Sequence, residues 1–212
     1  FYNLEKGKSH CSTVKLTKAL GMSDRSVHIQ QDIQEFLSDF LERIQRNLKD
    51  EISYIFEGTT IHFLKSSRGT LLSSSTETFK QLMINVSDSV DTSLKSYFSP
   101  EKIENYNVGN ETQTVTLESK ISVLPRILQI VIKRYKRGLV TNSNIKDNSQ
   151  VNFKEDLDLL PFVDRRNASS QNCTKYKLYA VIAHSGTLSS GHYTVFLKPE
   201  MKDVWFYFSD SL

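Results

Sequence analysis

The end of the sequence contains residues that could transfer protons. His192 follows Gly191, and Ser209 and Asp210 lie a short distance further along the chain. If the segments HYTVFLK and VWFYF pair as a hairpin around the loop KPEMKD, the start of the first strand lies beside the end of the second. His192 would then face Ser209 and Asp210. A histidine oriented through its second ring nitrogen by an oxygen acceptor has the geometry of a general base that activates a nucleophile.

Two glycines enclose the short Thr/Leu/Ser loop before that histidine. Gly186 and Gly191 would let the loop bend tightly and let a substrate backbone approach closely, which predicts a gating loop. A surface histidine beside a glycine is common and usually has no catalytic role. From this pattern alone, His192 could be a general base or an ordinary surface histidine, and both interpretations stay open.

A second candidate group lies at the start of a strongly amphipathic segment. Asp32, Glu35 and Asp39 are three and four residues apart, so they share one helical face. Carboxylates near a helix N-terminus are favoured by the helix dipole, and the group could simply help to start the helix. The other interpretation is a docking site for arginine side chains.

The elements that must position these groups follow from periodicity. Residues Gln31 to Lys49 predict a helix, because their apolar side chains recur at helical spacing. The segments Ile52 to Leu64 and Phe79 to Val86 predict two long strands that pair with each other. The stretch SSRGTLLSSSTET between them predicts a hairpin tip or a mobile loop.

The second half of the chain predicts mainly strands. Ser93 to Phe98 predicts a short helix before Pro100, and the apolar run Ile127 to Tyr135 predicts a buried strand at the centre of a sheet. Arg137 to Gln150 predicts a surface loop. The apolar bursts YKLYAVIAH, HYTVFLK and VWFYF predict a closing antiparallel meander. Helices first and strands later indicate the α+β class.

Composition excludes several kinds of protein. The 212 residues are 38% apolar and 10% aromatic, which is typical of a soluble globular domain. The 27 basic and 24 acidic residues form no long run of one sign, which disfavours nucleic-acid binding. No apolar stretch approaches the ~20 residues of a membrane span, so we expect an intracellular protein. Cys11 and Cys173 suffice neither for a disulfide framework nor for a zinc site, and no metal or cofactor is expected.

Four segments together resemble one protein family. QQDIQEFL, LPRILQIVIKRY, HSGTLSSGHY and WFYFSDS occur in this order, and they resemble motifs of the ubiquitin-specific proteases. The resemblance implies a papain-like cysteine protease fold with fingers, palm and thumb, which holds ubiquitin or ubiquitinated proteins. It also implies hydrolysis at the C-terminal glycine of ubiquitin by a Cys-His-Asp/Asn triad. Carried over, residues 1–50 are a thumb remnant, 51–120 the fingers and 121–212 the palm.

The resemblance also implies roles for individual residues. His192 matches the general base, Ser209 the third triad position and Asp210 the acidic position beside it. Tyr193 matches a residue along the groove for the ubiquitin tail, and the loop from Gly186 to Gly191 matches a blocking loop that moves when ubiquitin binds. Four residues match positions that contact the tail: Asp32 and Glu35 engage its arginines, and Gln31 and Gln34 lie beside them.

The sequence departs from the family pattern in three respects. The family's cysteine box lies upstream of QQD, and this chain begins after it. Cys11 and Cys173 match no catalytic position, so we expect Cys11 to be structural, Cys173 to be inert and this chain alone to be inactive. Ser209 stands where most members have Asp or Asn, and it offers no charge to an imidazolium. The paired Cys-x-x-Cys zinc motifs of many fingers are absent. A pseudoprotease that only binds ubiquitin and a scaffold that reuses the fold are the alternatives.

Overall fold

A computed structural model describes residues 12–22, 31–137, 144–166, 173–187, 190–199 and 202–209. The chain forms two compact units, Phe1–Ile52 and Ser53–Leu212. Helices dominate the first part and strands the second, so the predicted α+β class is confirmed. Four α-helices are described: α1 (Val14–Ala19), α2 (Ile33–Gln45), α3 (Lys49–Phe56) and α4 (Val90–Tyr97). Within the described residues, none of the helices has both the length and the apolar character that crossing a bilayer requires.

Helix α2 confirms the strongest helical prediction, although it ends earlier than expected, at Gln45. It begins after Asp32, whose backbone is extended and whose carboxylate accepts hydrogen bonds from two main-chain amides of the first turn. Side chains at i and i+4 meet on one face of a helix, and the rings of Phe36 and Phe40 stack with their centroids 6.1 Å apart. Leu41, on the same apolar face, is buried.

The predicted strand from Ile52 is wrong in its first five residues, which belong to α3. Asp50 and Glu51 occupy the first turn of α3, where the helix dipole favours carboxylates, and Ile52 is buried. The first strand is instead β1 (Gly58–Ser66). Its partners are not the ones predicted: β1 pairs with β2 (Leu71–Phe79) and with β5 (Glu111–Val123).

Strand β2 occupies most of the Ser/Thr-rich stretch that was expected to be a loop. It forms one edge of a four-stranded antiparallel sheet with the order β2-β1-β5-β4, where β4 is Glu101–Val108. The side chains from Ser73 to Thr78 are exposed. A polar edge strand has this composition because it has no buried face to fill, and so it is easily mistaken for a loop.

The main core surrounds a pair of parallel strands. β3 (Gln81–Asn85) pairs with β6 (Gln129–Lys133), and these two form a two-stranded sheet. The predicted central position of the Ile127 to Tyr135 strand is therefore wrong. Helix α4 packs beside β3 and confirms the predicted short helix, which begins earlier because Ser89 caps it. The buried cluster comprises Leu82, Ile84, Leu94, Phe98, Ile121, Leu159 and Val163.

The remaining strands form hairpins and a meander. β7 (Tyr135–Arg137) pairs with β8 (Asn144–Lys146). The expected loop from Arg137 to Gln150 is therefore wrong at Arg137 and at residues 144–146, which are in strands. β9 (Asp156–Asp158) pairs with β10 (Lys175–Lys177). The predicted closing meander is confirmed as an antiparallel sheet of β11 (Ala180–Gly186), β12 (Gly191–Leu197) and β13 (Phe206–Phe208), with β12 in the middle.

Candidate active site

The meander brings His192 and Ser209 together. Val195 of β12 pairs with Phe208 of β13, so the start of β12 lies beside the residue that follows β13. His192 Nε2 lies 2.8 Å from Ser209 Oγ, and both side chains are half-buried. The expected approach of these two residues is present. Asp210, the other predicted acceptor, lies outside the described residues.

The partner of the histidine is a neutral hydroxyl. When Nε2 carries the ring proton, it donates to Ser209 Oγ and the ring is held in one orientation with its lone pair on Nδ1. A hydroxyl oxygen orients an imidazole but supplies no negative charge to an imidazolium. The arrangement can therefore hold a proton acceptor in place, with less stabilisation of the protonated ring than a carboxylate would give.

A charged cluster closes the hairpin that sets this geometry. Lys198 Nζ lies 2.9 Å from Glu155 Oε2 and 2.6 Å from Asp203 Oδ1. The Trp205 indole donates to Glu155 Oε1 over 3.1 Å. Hydrogen bonds from Lys198 lower the pKa of Glu155 and of Asp203, and the bond with Asp203 is the main cause of the raised pKa of Lys198. The cluster ties the ends of β12 and β13 together and so supports their register.

The predicted gating loop joins β11 to β12 through a very close approach of two glycines. Gly186 has φ +117, and a Cβ on it would lie 2.5 Å from Gly191 Cα and 2.5 Å from the Ser190 carbonyl oxygen. A Cβ on Gly191 would lie 2.2 Å from His184 Nε2 and 2.3 Å from the Ser185 carbonyl oxygen. All four distances lie far inside van der Waals separation, so glycine is required at each position.

Replacement of Gly186 by alanine should destabilise the protein by about 3 kcal/mol, which combines a backbone cost of order 1–3 kcal/mol with about 1–3 kcal/mol of overpacking. Gly109→Ala is the matched control, since Gly109 also has positive φ (+63) but has nothing within 4 Å of the added methyl group. Chemical denaturation measures both changes. Equal losses of unfolding free energy in the two variants would mean that the loop rearranges freely to admit a side chain.

Two residues beside the loop make contacts that were not predicted from the sequence. The ring of His184 packs against Tyr193 with a centroid distance of 4.6 Å. Lys146 reaches the same place from β8 and lies 2.9 Å from His184 Nδ1. Nothing in the sequence distinguished Lys146, because this residue lies in a polar stretch and its contacts are with residues far along the chain.

The acidic group occupies the start of α2 in the first unit. Asp32 Oδ1 accepts from the amides of Gln34, at 2.8 Å, and Glu35, at 3.2 Å. This oxygen therefore does what the helix-starting interpretation predicted. No described residue donates to the second oxygen, Oδ2. Glu35 and Gln31 are exposed, and Gln34 Nε2 lies 3.3 Å from Ser38 Oγ.

The cysteine that the structure describes has a local role. Cys173 is exposed and its Sγ donates to the Lys175 carbonyl oxygen over 3.1 Å, at the start of β10. Strand β10 pairs with β9 and not with the meander that carries His192. Cys11 lies outside the described residues. Among the described part of the chain, no group of three or more potential ligands could hold a metal ion.

The fold defines the class of the protein. The chain superposes on a chain of the SAGA Ubp8/Sgf11/Sus1/Sgf73 DUB module bound to ubiquitin aldehyde, with a TM-score of 0.80 and 24% identity. The match covers 93% of this chain and 48% of that chain. The architecture is thus the papain-like fold of the ubiquitin-specific proteases, with mixed helices and strands.

Sequence comparison identifies the family. The family model described as ubiquitin carboxyl-terminal hydrolase matches residues 1–212. Ubiquitin carboxyl-terminal hydrolase 7 of Drosophila melanogaster is 31% identical over 224 residues, and ubiquitin carboxyl-terminal hydrolase 5 of Schizosaccharomyces pombe is 31% identical over 222 residues. Each match covers 100% of this chain and 20% of the relative. The chain belongs to the ubiquitin carboxyl-terminal hydrolase family of cysteine peptidases and spans about a fifth of the length of these relatives.

Proposed function

We propose that this chain supplies the general base and the ubiquitin-tail site of a cysteine-type deubiquitinase. The reaction is hydrolysis of an isopeptide or peptide bond at the C-terminal glycine of ubiquitin. The observation that carries the proposal is the 2.8 Å contact between His192 Nε2 and Ser209 Oγ. It orients the imidazole in the way that activation of a nucleophile requires, in a chain that belongs to a family of thiol hydrolases.

In the proposed mechanism, His192 accepts the thiol proton at Nδ1 while Nε2 donates to Ser209. The thiolate attacks the carbonyl carbon of the ubiquitin C-terminal glycine, and His192 returns the proton to the leaving amine. Water then attacks the thioester, again with His192 as the base. Because Ser209 is neutral, the imidazolium is less stabilised than beside a carboxylate, and Asp210 is the alternative acceptor.

The ubiquitin tail is proposed to be recognised by charge and by the gating loop. Asp32 and Glu35 would accept hydrogen bonds from the tail arginines, and charge-assisted pairs of this kind are stronger than neutral ones. The cap contacts of Asp32 use Oδ1 and hold the carboxylate in a fixed orientation, so Oδ2 can accept from a guanidinium. Gln31, Gln34 and Tyr193 would contact the tail backbone, and the loop from Gly186 to Gly191 would open to admit it.

The nucleophile is proposed to be neither Cys11 nor Cys173. Cys173 donates its thiol proton to a main-chain carbonyl at the start of β10, and β10 does not pair with the strands that hold His192. Cys11 lies only a short distance before QQD, in a context that resembles the region just before that helix in the family and not the cysteine box. The thiolate is therefore proposed to come from sequence other than these 212 residues, and the 212 residues alone would bind ubiquitin without hydrolysing its conjugates.

The proposal is tested with ubiquitin that bears a cysteine-reactive electrophile at its C-terminus. The full-length protein should form an adduct at a cysteine other than Cys11 and Cys173, as mapped by intact mass and peptide digestion. Cys11→Ser and Cys173→Ser variants should react as the wild type does. An adduct at Cys11 or Cys173 would show that this cysteine is the nucleophile and would refute the proposal that the thiolate lies elsewhere. Ubiquitin binding without any adduct would instead support the pseudoprotease. If the protein neither binds ubiquitin nor forms an adduct, the result would support a scaffold.

A further inference from the structure

Lys146 makes three hydrogen bonds at the base of the gating loop. Its Nζ lies 2.9 Å from His184 Nδ1, 3.1 Å from the His184 carbonyl oxygen and 3.0 Å from the Gly186 carbonyl oxygen. An ammonium group has three N–H donors, so these acceptors use all of them. The side chain is half-buried and extends from β8, which is paired with β7 and not with the meander. One side chain thus joins the β7–β8 hairpin to the end of β11.

The first of these bonds determines which ring nitrogen of His184 carries the proton. A lysine ammonium can only donate, so Nδ1 accepts and the ring proton is on Nε2. The Nε2 edge lies against Gly191, where an added Cβ would be only 2.2 Å away. The ring also packs against Tyr193 at a tilt of 42°, with the centroids 4.6 Å apart. Gly191 and Tyr193 are the residues directly before and after His192, so His184 contacts the chain on both sides of the base.

From this geometry we infer that Lys146 is a positioning residue for the general base. It acts through His184 on the backbone that carries His192, and through the Gly186 carbonyl on the base of the gating loop. The inference rests on the proposed function, because it assigns Lys146 a part in the same reaction. Lys146 would not touch the reacting atoms, and its loss would allow the His192 ring to move relative to the bond that is cleaved.

The test compares turnover by the full-length protein before and after Lys146→Met, which keeps the apolar stem and removes the donors. With a ubiquitin C-terminal amide as substrate, kcat should fall about tenfold, since displacement of a catalytic group by even 1 Å is enough for losses of up to about 100-fold. KM should change less than about threefold, because the contacts of Asp32 and Glu35 are not altered. Lys80→Met is the matched control: Lys80 is also half-buried, its Nζ lies 3.3 Å from Glu57 Oε1, and its loss should leave kcat unchanged.

Coupling to His184 separates positioning from general stabilisation. If Lys146 acts through His184, the variant with both Lys146→Met and His184→Ala should be no slower than the slower single variant. Four results would overturn the inference: kcat losses of the two single variants that multiply in the double variant, an unchanged kcat in Lys146→Met, a rise in KM alone in Lys146→Met, or an equal loss of kcat in Lys80→Met. In each case, turnover by the wild-type protein would still uphold the proposed function. A wild-type protein without turnover would overturn the proposed function itself, and with it this role for Lys146.

Discussion

Replacing His192 with alanine is expected to lower kcat of the full-length protein on a ubiquitin C-terminal amide by about 100- to 10,000-fold, the range for loss of a general base. The imidazole is oriented by Ser209 over 2.8 Å and is the group proposed to take the thiol proton. KM should change little, since the tail carboxylates stay in place. Release of a fluorescent amine at saturating substrate measures the change.

The chain offers a matched histidine for this experiment. His62 in β1 is also half-buried and also contacts a serine at 2.8 Å, through Nδ1 and Ser119 Oγ. It lies in the four-stranded sheet and has no part in the proposed chemistry, so His62→Ala should retain the wild-type kcat. Wild-type turnover by His192→Ala would refute the assignment of the base. An equal loss in both variants would point to unfolding instead.

Charge removal at the start of α2 is expected to weaken ubiquitin binding by about 100-fold or more. The variant combines Asp32→Asn with Glu35→Gln, and each lost charge-assisted hydrogen bond contributes about 1.5–3 kcal/mol. Asparagine is as good an N-cap as aspartate, so the two amide bonds that Oδ1 accepts are kept and stability should be preserved. Calorimetric titration with ubiquitin measures the affinity.

Two comparisons separate recognition from helix stability. Asp50→Asn with Glu51→Gln makes the same change in the first turn of α3 and should leave ubiquitin affinity unaltered. Asp32→Ala should in addition lower the free energy of unfolding by about 1 kcal/mol, because it removes the cap. If the variant with Asp32→Asn and Glu35→Gln binds ubiquitin with unchanged affinity, the tail-site assignment is refuted. These carboxylates would then serve only to start the helix.

The sequence predicted the elements whose signal is local. Helix α2 has apolar side chains at helical spacing behind a capping aspartate, and the final meander has three apolar bursts between polar turns. The approach of His192 to Ser209 could be predicted because a hairpin brings the ends of its strands together. In each of these cases, neighbours in the sequence determine the geometry.

The features that were missed depend on contacts that the sequence does not display. Exposed serines and threonines on an edge strand resemble a loop, so β2 was overlooked. The parallel pairing of β3 with β6 joins residues such as Gln81 and Gln129, which lie far apart in the chain. Lys146 could not be found at all, since a lysine in a polar stretch has no distinguishing pattern until the fold brings it to His184.

The register of β12 and β13 limits how this part of the chain can change in evolution. Side chains alternate between the two faces of a sheet, so one residue gained or lost between Phe206 and Ser209 would turn the serine away from His192. Insertions in the turn around Lys202 would leave that alternation intact, because loops accept extra residues at little cost. Homologous chains should therefore vary in length at the turn, while the spacing from the last strand to the histidine's partner stays constant.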